Sequence, residues 1–224
     1  MAHKPITVSA NSGGQDFELV PEGTHFAICT LIAYIGVQKT VFNDTVKEQP
    51  KVHFRFEVPE IEIEYEKNGK TVKGPAIIGR TFTLNIGSKS NLGPFIENWR
   101  GKAFTEAEAA EYDVTSLLGK VCMLSVIHEE NKGKTYANIS GAGKISKLYQ
   151  SALENGTLSA EPHGELISYN ADDPDEATFR KLPKFLQKKI DERIVHGETA
   201  RKDKDPTRGT QTNPEEDFDD DIPF

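Results

Sequence analysis

The sequence is poor in the residues that cross-linking, metal binding and redox chemistry depend on: of 224 residues, two are cysteine, two methionine and one tryptophan. Cys29 and Cys122 lie far apart, each inside an apolar run, with no CxxC spacing and no histidine at ligand distance in sequence. That excludes a disulfide framework or a thiolate metal site as the organising device and leaves two buried free thiols in a reducing compartment as the expectation. A chain of this length can bury a core without such staples. No apolar run approaches the roughly 20 residues of a membrane span, and Met1–Val20 contains no continuous apolar segment of signal-peptide type, so a soluble cytoplasmic protein with no membrane partner is expected.

Catalytic spacing is missing as well. The six histidines are scattered, and no Ser/His/Asp or paired-carboxylate arrangement stands out. Gly133-Lys134-Thr135 and Gly141-Ala142-Gly143-Lys144 resemble phosphate loops only superficially, because the first glycine of a P-loop would fall at His128 and Asn138. Three Asn-X-Ser/Thr triplets, at Asn43, Asn138 and Asn155, carry no meaning without secretion. The expectation is a protein that is not an enzyme and needs no cofactor.

What is present is an uneven distribution of charge. The formal net charge is −8, yet residues 1–150 hold 17 basic and 17 acidic side chains, residues 151–214 hold 10 and 12, and residues 215–224 hold none and six. The acidic excess therefore belongs to the end of the chain, and a body that binds a polyanion is not excluded.

Along the body, β-type patterning dominates. Residues 1–16 are polar and are expected to be flexible, and Thr24–Val37 is a β-branched apolar run with Gly36 placed for a bulge. Residues 38–51 read as a polar loop. Val52, Phe54, Phe56 and Val58 alternate with His53, Arg55 and Glu57, the period of a half-buried strand. Beyond Pro59 the apolar set moves to Ile61, Ile63 and Tyr65 opposite a glutamate row, which predicts a bulge at the proline and a face turned to solvent. Asn68-Gly69 predicts a type I′ hairpin turn into a third strand, Ala76–Ile86.

Ser88–Gly101 reads as a helix with Leu92, Phe95, Ile96 and Trp99 on one face, the tryptophan being either core or a stacking residue. Thr105 with Glu108 forms a capping-box signature, and Asp113 opens a short turn that Gly119 stops. Val121–Ile127 and Thr135–Ser140 complete five strands, the last two set apart by helices. The fold class expected is mainly β: an OB-type five-stranded barrel with short inserted helices, one C-terminal amphipathic helix and a disordered acidic tail. Residues 17–150 form the barrel domain in this reading.

Residues 151–196 read as a linker and then the amphipathic helix, Leu182, Phe185, Leu186, Ile190 and Ile194 set among Lys181, Lys184, Lys188, Lys189 and Arg193. Pro183 belongs in a first turn, so the helix is expected to start afresh there. Packing on the barrel, a homodimer contact and a basic flank are the alternatives for it. Residues 197–214 read as a flexible tether.

The final stretch, Asp217-Phe218-Asp219-Asp220-Asp221-Ile222-Pro223-Phe224, embeds three apolar residues in an acid run that is too charged to fold alone. It resembles the terminal peptide with which bacterial single-stranded-DNA-binding proteins recruit replication, recombination and repair enzymes. That resemblance implies a docking role for these eight residues, with the Phe224 ring and carboxylate as anchor and the acids meeting a basic rim. The body lacks the opening strand and glycine pattern of the bacterial proteins. Its order of strand, helix, Asp113-Val114 to Leu118-Gly119-Lys120, strand, charged Gly-Lys turn and Tyr136 is similar instead to bacteriophage-encoded proteins of this function.

The resemblance implies a non-enzymatic protein that coats single-stranded DNA in a bacterial cytoplasm and binds host or phage replication proteins. Candidate DNA contacts are Lys39, Phe42, Lys51, Arg55, Arg80, Lys89, Lys132, Lys134 and Tyr136. Phe42, between Lys39 and Lys47, is either a base-stacking residue or a loop phenylalanine tucked on the core. The competing reading is an interaction scaffold or decoy that uses the tail peptide and never touches DNA.

Overall fold

The protein is described from a computed structural model that covers residues 19–195 apart from 43–44, 68–69 and 88; side chains at 42, 65–67 and 70–71 are also outside the description. The expected N-terminal segment 1–16, the Asn68-Gly69 turn, the tether 197–214 and the tail 215–224 lie outside the described residues.

Five antiparallel strands run β1 (Gly23–Phe42), β2 (Thr45–Lys67), β3 (Lys70–Thr83), β4 (Val121–Asn131) and β5 (Lys134–Gly143), in the spatial order β3-β2-β1-β4-β5. The outer strands approach each other where the Arg80 guanidinium donates from Nη1 to the Ile139 carbonyl at 2.6 Å, so the sheet curls into a nearly closed barrel. This order, with helices between the third and fourth strands, is that of an OB-type barrel.

Alternation builds the core. Val52, Phe54, Phe56 and Val58 of β2 point inward and are fully buried, together with Ala76, Ile78 and Phe82 of β3. Helix α1 (Leu92–Arg100) lays Leu92, Phe95, Ile96 and Trp99 against them and stops at Gly101, whose φ of 67° suits a residue without Cβ. Phe95 meets Phe82 at a centroid distance of 4.7 Å and Trp99 meets Phe56 at 5.5 Å. The Trp99 indole donates to the Val121 carbonyl at 2.8 Å, which places this ring in the core and not on a nucleic-acid surface. Thr105 and Glu108 complete the capping box of α2 (Glu106–Glu111). Lys102 and the Thr105 amide hold the Glu108 carboxyl down near a pKa of about 2.

Bulges decide which face each strand presents. The β2–β3 register breaks between Val58 and Glu62, as Pro59 predicts. On β1, register shifts fall between Cys29 and Leu31 and between Tyr34 and Val37, the second at Gly36 with φ 79°. The first shift reverses the parity of β1: Ala27, Cys29 and Ile32 belong to the barrel interior, whereas Leu31, Ala33 and Ile35 face outward into a second core. Both cysteines are buried and free, and burial pushes the Cys29 thiol up to about 12.

That second core comes from the C-terminal region, where the expected linker contains regular structure. After α3 (Lys147–Glu154), a strand absent from the sequence reading, β6 (Ile167–Asn170), pairs parallel with Leu31–Tyr34 of β1. The amphipathic helix starts afresh at Pro183, as expected, as α5 (Lys184–Asp191), and a separate short helix, α4 (Glu176–Lys181), precedes it; Pro183 supplies no amide and Leu182 before it is extended at ψ 150°. Ile167, Tyr169, Ala171, Leu182, Leu186 and Ile190 then bury the outer face of β1. Packing on the barrel is thus the role this segment takes within the chain.

The polar stretch 38–51 is not a loop. β1 continues to Phe42 and β2 starts at Thr45, forming a long hairpin whose outer strands satisfy each other's backbone groups while burying few side chains. The third strand likewise begins earlier and ends earlier than expected, and α1 starts at Leu92, four residues later than its pattern suggested.

Candidate nucleic-acid interface

The outward parity of β2 carries Lys51, His53, Arg55 and Glu57, and directly across on β3 stand Thr83, Thr81, Gly79 and Ile77. This pairing partners the polar row within the sheet. Lys51 Nζ donates to Thr83 Oγ1 at 3.1 Å, and His53 Nδ1 lies 2.9 Å from Thr81 Oγ1. Gly79 makes room for the imidazole: a Cβ there would come within 2.7 Å of His53 Nε2. Arg55 Nε donates to Thr30 Oγ1 at 3.3 Å. Glu57 accepts from the amides of His163 at 2.8 Å and Gly164 at 3.1 Å.

Lys51, His53 and Glu57 face away from the barrel interior and are nevertheless buried, Glu57 against the His163–Gly164 segment and His53 against α5. Phe185 of α5 sets its ring 5.4 Å from that of His53 at 77°, edge to face. Gln38 donates to the carbonyls of Ile35 at 2.8 Å and Lys189 at 3.0 Å, and the Ile194 amide donates to the Val37 carbonyl at 2.8 Å. These bonds fix α5 beside the bulged part of β1, where Arg193 packs on Gly36.

Between α5 and the sheet lies a groove of about 1120 Å³. Its floor is Lys51, His53, Arg55, Gly79 and Thr81; Lys39, Thr40 and Val41 of the β1–β2 hairpin enter from one side and Asn138 and Ile139 of β5 line another. Six cationic residues line it, Lys39, Lys51, Arg55, Arg80, Lys189 and Arg193, against one carboxylate, Glu192; of these Arg80 shares the inward parity of Phe54, its guanidinium held over the Phe82 ring and on the Ile139 carbonyl. In a chain with a net charge of −8 this is a local reversal of sign.

Enclosure tunes the groups on the floor. Burial first, then the charges of Lys189 and Arg55, pushes the His53 imidazole down to about 3, so it is neutral at ordinary pH. Burial also lowers the Arg55 pKa, with Glu57 opposing. A second cavity of about 380 Å³, near Tyr34, Leu84 and Tyr169, has no cationic residue in its lining. Among the described residues no group of three or more His, Cys, Asp or Glu could hold a metal ion, and no helix is long and apolar enough to cross a membrane.

Of the candidates read from sequence, Lys39, Lys51, Arg55 and Arg80 come together in the groove. Lys132, Lys134 and Tyr136 do not line it; they sit at the β4–β5 hairpin, where Lys132 and Gly133 take φ values of 50° and 76° to make the turn. Lys89 is exposed between β3 and α1, also off the groove. Phe42 ends β1 with its Cα paired to Thr45, and its side chain is outside the description. Asp217, Phe218, Asp219, Asp220, Asp221, Ile222, Pro223 and Phe224 lie outside the described residues.

Sequence reasoning missed His53 and Phe185 as groove residues and had Lys189 and Arg193 only as a basic flank of the amphipathic helix. The signal was present in the spacing: 185, 189 and 193 repeat every four residues beside the buried stripe 182, 186 and 190. Comparison with protein-family models finds no match to this chain, and comparison with curated proteins finds none.

Proposed function

We propose that this chain is a single-stranded-DNA-binding protein of bacteriophage type. It coats and protects the strand during replication, recombination and repair in a bacterial cytoplasm, catalyses nothing, and recruits host or phage replication proteins through residues 215–224. The observation that carries this reading is the cationic groove on the outer face of β2 and β3. That face, with its flanking loops, is where OB-type barrels take up oligonucleotides.

The mechanism follows from the lining. Cations track the phosphates and release their counterions, and aromatic surfaces stack on bases, which together give affinity without dependence on sequence. The acidic tail carries no cation and is suited to a basic pocket on another protein. A scaffold or decoy that uses only the tail would have no use for six cations gathered in one groove, and this favours the DNA-binding reading.

The test is fluorescence anisotropy of labelled oligo-dT with the full-length protein at 50 and 200 mM salt. If four to six cations engage phosphates, affinity should fall about 50- to 300-fold over that range, the dependence single strands show. Absence of binding at 50 mM salt would overturn the proposal and leave the scaffold reading.

A further inference from the structure

We propose that α5 is a working wall of this groove and that Phe185 is its base-stacking platform, receiving an unpaired base of a single-stranded polynucleotide while the surrounding cations hold its phosphates. The inference rests on the function proposed above and assigns the site a residue from outside the barrel.

Phe185 is 39 % exposed on a helix whose other large apolar residues, Leu186 and Ile190, are essentially fully buried. Those two, with Leu182, belong to the buried cluster that docks α5 on β1, and Phe185 stands outside it. Its ring points at the groove, edge to face with the His53 imidazole. Because that imidazole is neutral and enclosed, the pair forms an uncharged aromatic ledge. Around it stand Lys39, Arg55, Lys189 and Arg193, all lining the same groove.

An uncharged ring surface set among cations matches a nucleotide, whose apolar base and anionic phosphate must be met side by side. The ledge is also fixed in advance. The buried cluster beneath α5, the Gln38 bonds and the Ile194–Val37 bridge hold the helix, so stacking requires little new ordering. A paired base has its faces covered by its neighbours, so the platform selects single strands over duplex.

The experiment uses the full-length protein with Phe185→Trp and Phe185→Leu. The native indole, Trp99, is buried in the barrel core and supplies a constant background. On titration with oligo-dT at 50 mM salt, emission of the Phe185→Trp protein should be quenched along the same curve as the anisotropy, while wild-type emission stays unchanged. Phe185→Leu keeps an apolar contact but no ring face, and should lose about 5- to 150-fold in affinity, the range for one stacked base, with an unaltered melting temperature.

If the wild type binds oligo-dT while the introduced indole stays unquenched and Phe185→Leu binds as tightly as wild type, this inference falls and the proposed function stands. Equal quenching by a blunt duplex would overturn the selection for an unpaired base. Failure of the wild type to bind at all would remove both.

Discussion

His53 should make the fold sensitive to mild acid. Its pKa is pushed down to about 3 in the folded protein, by burial first and by Lys189 and Arg55 next, against an ordinary value of 6.5. As pH falls through 6.5 the unfolded chain takes up a proton that the folded chain refuses, so the stability this neutral histidine allows is complete above that pH and drains away below it. Between pH 7 and pH 5 the linkage amounts to about 2 kcal/mol at about 1.4 kcal/mol per pKa unit, most of it below pH 6.5. The range stops short of pH 4, where ordinary carboxylates begin to titrate.

The assay is urea denaturation of wild type and His53→Gln at both pH values; the amide keeps a hydrogen-bonding partner for Thr81, which contacts His53 at 2.9 Å. The wild-type midpoint should drop by about 0.7–2 M more than that of the variant, given the usual denaturant dependence of small domains. Equal losses in the two proteins would refute the argument and would mean that the imidazole is reached by water or finds an anion when it is charged.

Four other outcomes are expected. Gly36→Ala should destabilise the protein by about 1–2 kcal/mol from the left-handed backbone alone, with added loss because its Cβ would meet Arg193 Cδ at 2.6 Å; thermal melting reads both. Lys39→Ala should weaken oligo-dT binding and lower the slope of log affinity against log salt by about 0.7, whereas Lys132→Ala, off the groove, should change neither. Removal of residues 215–224 takes away six carboxylates that compete with phosphates, so oligo-dT affinity should rise at low salt. Deletion of Phe224 alone should leave DNA affinity unchanged and abolish capture of a replication protein; capture that survives would show the tail acting through charge only.

The barrel was legible because its strands are half-buried. Val52 to Val58 announce a period of two, and Pro59 announces the break in register that the β2–β3 pairing contains. β6 gave no such signal: Ile-Ser-Tyr-Asn is too short for a period, and it is held by parallel pairing with Leu31–Tyr34, far away in sequence. The β1–β2 hairpin was hidden for a different reason. Its outer residues pair without a buried face, Lys39 with Glu48, Thr40 with Lys47 and the exposed Val41 with the exposed Val46, so no period of two marks it in the sequence.

The same contrast holds for the groove. Arg55 stands on the face opposite Phe54 that alternation announces, whereas Lys51, expected at the end of a polar loop, joins that outward row because β2 begins at Thr45. Phe185 was read as one more core residue of an amphipathic helix. Only the docking of α5 on Leu31, Ala33 and Ile35 separates its stripe from that of Leu186.

The reversal of parity on β1 gives the groove a lifetime of its own. Its floor belongs to the barrel, but its wall belongs to residues 165–195, anchored by the outward-facing cluster and the Val37–Ile194 bridge, and these should behave as a smaller cooperative unit. Such a unit opens more often than the body that carries it. Each opening uncovers His53 while Phe54 and Phe56 stay dry, so amide exchange at Leu186 and Ile194 should outrun exchange at Phe54. During synthesis the order is the same: the barrel strands are complete by Gly143, and the groove stays one-sided until Ile194 has left the ribosome.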